Sequence, residues 1–156
     1  MSKISPFLWF NNEAEEAARF YTSIFKNSKI TKISRYGDSA PMPKGTVMVV
    51  EFEMNGQTFM ALNGGPVFKF NESVSFVVHC ENQEEVDYYW EKLTQGGKEV
   101  QCGWLKDKYG LSWQVVPTAL GRLTSSGDAA QSSRVMAALM KMVKLDIAAL
   151  EAAAKG

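Results

Sequence analysis

A chain of 156 residues is long enough to bury one core without disulfides or a structural metal. Its 17 basic and 17 acidic side chains cancel, so no overall charge draws it toward nucleic acid or an anionic membrane surface. Apolar runs such as Val47 to Val50 and Val74 to Val78 fall far short of the roughly 20 residues that span a bilayer. Cys80 and Cys102 alone make neither a disulfide framework nor a soft-ligand zinc site, and free thiols fit a reducing cytoplasm.

In chain order, Ile4 to Phe10 is apolar and aromatic enough for a first strand, and nothing there reads as a signal peptide. Asn11 and Asn12 offer capping side chains ahead of Glu13, Glu15 and Glu16, which predicts a helix beginning near Glu13. Ala14, Ala17, Ala18, Tyr21, Ile24 and Phe25 recur at helical spacing and give that helix one apolar stripe, ending near Asn27. Lys29 to Tyr36 reads as a strand, Gly37 to Gly45 as a Gly/Pro-rich connection. Thr46 to Met54 and Gln57 to Asn63 read as a hairpin turning at Asn55-Gly56, the dipeptide that suits two successive positive φ angles.

After Gly64 to Glu72 the same order returns. Val74 to Cys80 is a strand, Gln83 to Thr94 a helix, Gly96-Gly97 its stop, and Glu99 to Leu105 and Ser112 to Pro117 two further strands turning at Lys108-Tyr109-Gly110. Glu15-Glu16 aligns with Glu84-Glu85, Phe20-Tyr21 with Tyr89-Trp90, Ile24 with Leu93 and Phe7 with Phe76, all 69 positions apart. Two similar halves predict one sheet-lined cavity between them. Ser125 to Asp128 reads as a linker. From Ala129 the composition turns to Ala, Met, Leu and Lys, and Val135, Met136, Leu139, Met140, Met142 and Val143 give a helix with a broad apolar face. Asp146 caps a short last turn through Leu150, and the tail docks on its own domain or on a dimer partner.

The stretches Ser5-Pro6-Phe7-Leu8-Trp9-Phe10, Ala61-Leu62-Asn63-Gly64-Gly65-Pro66, Gly103 to Gly110 and Ser112-Trp113-Gln114-Val115-Val116-Pro117 carry a resemblance. The chain is similar to the PhnB-like, 3-demethylubiquinone methyltransferase-like branch of the glyoxalase/bleomycin-resistance superfamily, the vicinal-oxygen-chelate proteins. The resemblance implies an α+β fold of paired β-α-β-β-β modules, a curved, mostly antiparallel sheet around a cup, with a C-terminal helical tail. It places the domain at 1–121, its halves at about 1–66 and 72–121, and the linker and tail helix at 122–156. It also implies a homodimer, and members that are metal-dependent isomerases and dioxygenases or metal-free drug-binding proteins.

Metalloenzyme members place a His or Glu on the first and last strand of each half, positions that fall here on Ser5, Met60 or Ala61, Ser75 and Gln114. None is an imidazole or carboxylate, so neither metal nor cofactor is expected. No Gly-rich strand-to-helix turn of the dinucleotide type supports the methyltransferase label. The expected function is metal-free binding of a small organic molecule in the cup. The alternative is an enzyme, isomerase, dioxygenase or methyltransferase-like, acting there on a small oxygenated substrate.

Strand alternation sorts the site residues, since i and i+2 share a face. With Ser5 and Ser75 turned to the cup, Phe7, Trp9, Val77 and His79 follow. Leu8, Phe10, Phe76, Val78 and Cys80 pack under the helices, so Cys80 and His79 point apart and form no catalytic pair. Ligand-binding candidates are Phe7, Trp9, Asn63, His79, Cys102, Trp104 and Gln114. Trp9 and Trp104 are walls of the cup or plain core. Gln114 is an amide in an apolar strand that needs partners. His79 is the single imidazole and the one catalytic candidate, although a lone His is more often structural. Cys102 lines the cup near Trp104 or fills core. Lys106, Asp107 and Lys108 read as solvated surface, and Gly64 to Phe70 as a lid or an ordinary connector.

Overall fold

The computed structural model describes residues 2–156, which divide into two compact units, one running to Phe70 and one spanning Asn71–Gly156. In the first, β1 (Phe7–Phe10), α1 (Ala14–Ile24), β2 (Lys29–Arg35), β3 (Val47–Met54) and β4 (Gln57–Asn63) build a four-stranded sheet of order β1-β4-β3-β2. In the second, β5 (Ser75–Cys80), α2 (Gln83–Thr94), β6 (Lys98–Glu99), β7 (Trp104–Lys106) and β8 (Ser112–Pro117) build a sheet of order β5-β8-β7-β6. The first strand of each unit lies parallel to its last, and the remaining pairs are antiparallel. The repeated β-α-β-β-β order predicted from the sequence is therefore repeated in the topology.

One face of each sheet is buried by its helix. In the first unit Ala17, Tyr21 and Ile24 of α1 lie over Val50, Phe52, Phe59 and Ala61, all buried, with Tyr21 stacked 6.3 Å from Phe52 and Phe52 5.6 Å from Phe59. In the second, Val86, Trp90 and Leu93 of α2 lie over Val78, Leu105, Trp113 and Val115. Ala17, Tyr21 and Ile24 precede Val86, Trp90 and Leu93 by 69 positions each, so the helices repeat at the spacing read from the sequence. The strands do not. Buried Leu8 and Phe10 correspond to buried Val78 and Cys80, 70 positions on, whereas exposed Phe7 lies opposite in parity to Phe76, which packs 5.5 Å from Trp113. The first unit has one more residue between strand and helix, and that residue absorbs the difference.

The same extra residue changes how the helices begin. In α2, Asn82 accepts a hydrogen bond from the Glu85 amide at 2.9 Å while the Glu85 carboxylate accepts one from the Glu81 amide at 2.7 Å, a reciprocal cap. In α1 neither Asn11 nor Asn12 caps the helix. Glu13 stands at the N-cap without a side-chain capping bond, and the Ala14 amide donates instead to Asn63 Oδ1 at 2.9 Å, from the end of β4.

The stretch Glu99 to Leu105, expected as one strand, is a small hairpin. Cys102 and Gly103 both take positive φ, 61° and 84°, which breaks the ladder, and their amides donate to Met142 and Val143 carbonyls in the tail. The tail holds three helices, α3 (Thr118–Ser125), α4 (Ala129–Leu139) and α5 (Ile147–Lys155), where one helix and a short turn were expected. Asp128 and Asp146 cap α4 and α5 through the Gln131 and Ala149 amides. Val135, Leu139, Leu145, Leu150 and Ala154 bury together against Cys102, Val116, Leu120, Leu123 and Met142, so the tail docks on its own unit. Met136 and Met140 stay exposed. Among the described residues no helix is long and apolar enough to cross a membrane.

Candidate functional site

The face of the second sheet opposite α2, free of helix except where the tail packs against Val116 at its end, carries the residues of interest. Cross-strand register sets Trp104 against Gln114 and Gln114 against Val77, with Ser75 and Lys106 both against Ser112 and His79 against Val116. Gln114 finds its partner in this sheet: its Nε2 donates to Ser75 Oγ at 3.0 Å, joining two positions at which metalloenzyme members place ligands. Val77 is 42% exposed, His79 is exposed, and Trp104 is half-buried beside them. No acid or other hydrogen-bond partner approaches the His79 imidazole among the described residues. Behind the sheet, burial and the charges of Glu85 and Glu81 push the Cys80 thiol up to about 12, which keeps it protonated and poorly nucleophilic.

At the start of β8 lies a cavity of about 200 Å³ lined by Glu72, Lys98, Val100, Trp104, Leu105, Lys106 and Ser112. Ser112 is fully buried, and its hydroxyl has no hydrogen-bond partner among the described residues. Such burial costs about 1–3 kcal/mol, so this hydroxyl does not stabilise the fold. Lys98 and Lys106 face each other in register across β6 and β7, a repulsive like-charge pair. Glu72 relieves it, its carboxylate 2.5 Å from Lys106 Nζ. Hydrogen bonding and then charge from Lys106 hold the Glu72 carboxyl below its ordinary range. Sequence reading gave Ser112 and Lys98 no role and took Lys106 as solvated surface; a serine and a lysine opposite each other in strands otherwise rich in apolar side chains were the available signal.

Two expected ligand contacts, Asn63 and Cys102, are placed elsewhere, and one residue read as surface, Asp107, is buried. Asn63 turns to the helix side, 8% exposed, and spends its amide on the fold: Oδ1 caps α1, and Nδ2 donates to the Val47 carbonyl at 3.0 Å. It offers a ligand nothing. Cys102 was expected on one wall with Trp104, but the break at Cys102 and Gly103 abolishes the i, i+2 relation; Cys102 packs against the tail cluster, its thiol 3.8 Å from the Sδ of exposed Met140. Asp107, read as solvated, is 3% exposed and organises the β7–β8 turn. Its carboxylate accepts from the Tyr109 and Leu111 amides at 2.8 and 3.1 Å and from Trp113 Nε1 at 2.9 Å.

In the first unit Phe7 is 52% exposed on the helix-free face, and Trp9 is half-buried there. Trp9 Nε1 donates to the Gly65 carbonyl at 2.9 Å and Phe68 packs edge-on at 4.9 Å, while Phe70 packs on Phe10 at 5.2 Å. A Cβ at Gly64 would sit 2.4 Å from the Trp9 ring. The segment Gly64 to Phe70 is thus fastened to β1 as a connector, with Trp9 as its anchor.

The two β-α-β-β-β units define the class: an α+β protein of the glyoxalase/bleomycin-resistance fold. The chain belongs to the 3-demethylubiquinone-9 3-methyltransferase family, its PhnB-like branch, whose family model matches residues 2–116. It is 41% identical to the PhnB protein from Bacillus cereus, over 75% of this chain and 100% of that one, with a TM-score of 0.69. A protein from Pseudomonas aeruginosa, 20% identical over 75% of this chain and 98% of that one, shares the fold at a TM-score of 0.62. So does the fosfomycin resistance protein FosX from Listeria monocytogenes, 17% identical over 78% and 96%, at 0.55. No curated protein matches.

Metal-binding members of this fold need hard N/O donors, and the aligned positions here do not fit. Ser75 and Gln114 offer a hydroxyl and an amide hydrogen-bonded to each other, and Ser5 with Met60 or Ala61 adds no imidazole or carboxylate. Among the described residues no three His, Cys, Asp or Glu side chains gather at one point.

Proposed function

We propose that this protein binds a small organic molecule, without a metal, on the helix-free face of its second sheet. The observation that carries this reading is the Ser75–Gln114 pair beside Trp104: a neutral polar pair next to a large flat side chain, at positions where a metal site would need charge. Trp104 supplies apolar contact area, and the Gln114 carbonyl oxygen supplies an acceptor for orientation. Binding is preferred to catalysis because the one imidazole on this face, His79, lacks the acid partner that would orient it.

The test is a fragment screen followed by ligand-detected NMR on chelator-treated protein. Fragments that bind should lose affinity in Trp104→Ala and Gln114→Leu and keep it in His79→Ala. Binding that requires an added divalent ion would refute the reading. Turnover of a bound fragment that disappears in His79→Ala would replace it with an enzymatic one.

A further inference from the structure

We propose that the cavity at the start of β8 is a subsite for a small organic carboxylate. It rests on the binding face described above and names the chemistry of one end of it. Several features converge there. The Ser112 hydroxyl is fully buried, has no partner among the described residues, and lines the cavity, so it has a proton to donate and an unmet need to donate it. Lys98 and Lys106 are held in register at the same place, two cations against the single carboxylate of Glu72. The excess of one positive charge matches a monoanion.

Glu72 already shows that a carboxylate seats on Lys106, at 2.5 Å. It does so from the segment before β5, at 62% exposure against 36% for Lys106, and ion pairs this exposed are weak enough for a ligand to displace. Trp104, Val100 and Leu105 form the rest of the wall, which calls for an apolar body that a bare inorganic anion lacks. Size points the same way. At about 200 Å³ the cavity holds the equivalent of roughly seven waters at ~30 Å³ each, room for a compact aromatic or branched acid and too little for a drug-sized one. In the bound arrangement the carboxylate sits between Lys106 and Ser112 Oγ, Lys98 adds charge from the rim, and the Glu72 side chain swings out to solvent.

Isothermal titration of the full chain with benzoate, its neutral isostere benzamide, and inorganic phosphate tests this. Benzoate should bind, benzamide at least about tenfold more weakly because it cannot make a charge-assisted bond. Glu72→Gln, which removes the internal competitor, should tighten benzoate severalfold. Ser112→Ala should weaken it about tenfold while thermal stability holds or rises, an outcome a merely structural serine would not give. Lys106→Met should lose binding, with Lys98→Met as a second charge variant should Lys106→Met fold poorly. Equal affinity for benzoate and benzamide overturns the proposal, as does benzoate affinity unchanged in Ser112→Ala, or no benzoate binding even to Glu72→Gln. Phosphate that binds where benzoate does not overturns the carboxylate assignment. If uncharged fragments still depend on Trp104 and Gln114 in that event, the binding face stands without the anion subsite.

Discussion

Replacing Asp107 by alanine tests how the second unit is held together at the turn beside its proposed binding face. The carboxylate accepts hydrogen bonds from Tyr109 N, Leu111 N and Trp113 Nε1, and the last two are buried. Hydrogen bonds to a charged group contribute about 1.5–3 kcal/mol each, and the Tyr109 amide, only partly buried, recovers water when its partner goes. Two buried bonds at the low end of that range give a loss of about 3–4 kcal/mol in Asp107→Ala. That is a large share of the ~5–15 kcal/mol that keeps a typical protein folded, and corresponds to roughly 8–14 °C in Tm for a chain of this length. Asp107→Asn keeps Oδ1 for the backbone amides but sets an NH2 group against the Trp113 donor, so about half the loss is expected. Urea denaturation followed by circular dichroism measures both, with the slope unchanged if the folded and unfolded surfaces are unaltered. A loss below about 1 kcal/mol in Asp107→Ala would place the residue back among surface charges and refute the reasoning.

Asn63→Ala removes the α1 cap and the bond to the Val47 carbonyl and should cost about 2 kcal/mol. An unchanged urea midpoint would refute the capping role. Gly64→Ala places a methyl 2.4 Å from the Trp9 ring and should push the connector off β1, shifting Trp9 emission to the red; unchanged emission in a variant retaining only Trp9 counts against the anchoring role. Because the Cys80 thiol is pushed up to about 12, it stays protonated at pH 8, so iodoacetamide should label Cys102 first and reach Cys80 only on unfolding. Peptide mass spectrometry showing Cys80 modified at native pH 8 would contradict this.

Much of the fold was legible because its signals are local. Asn55-Gly56 does turn a hairpin, with φ of 48° and 84°, and the ranges of β4, α2 and β8 match those read from periodicity and breakers. Strand alternation also placed Leu8 and Cys80 under the helices and turned His79 to the opposite face, where it is exposed. Legibility failed where a long-range partner decides. Nothing near Asn63 in sequence announces that it caps a helix 49 residues earlier, and Asn11 and Asn12 looked like better caps. Asp107, flanked by lysines, has the sequence context of a surface turn, and only the position of Trp113 after the chain reverses makes it a buried acceptor.

The sequence by itself determined the repeat, the helix faces and the donor chemistry at the aligned metal positions, since each depends on residue identity and spacing alone. Tertiary structure alone decided which side chains meet: Gln114 with Ser75, Cys102 with the tail, Glu72 with Lys106, and Ser112 with no partner among the described residues. Those outcomes depend on cross-strand register and on a break at two positive φ angles. Either shifts a side chain to another face when it moves by one residue, a step too fine for composition or periodicity to resolve.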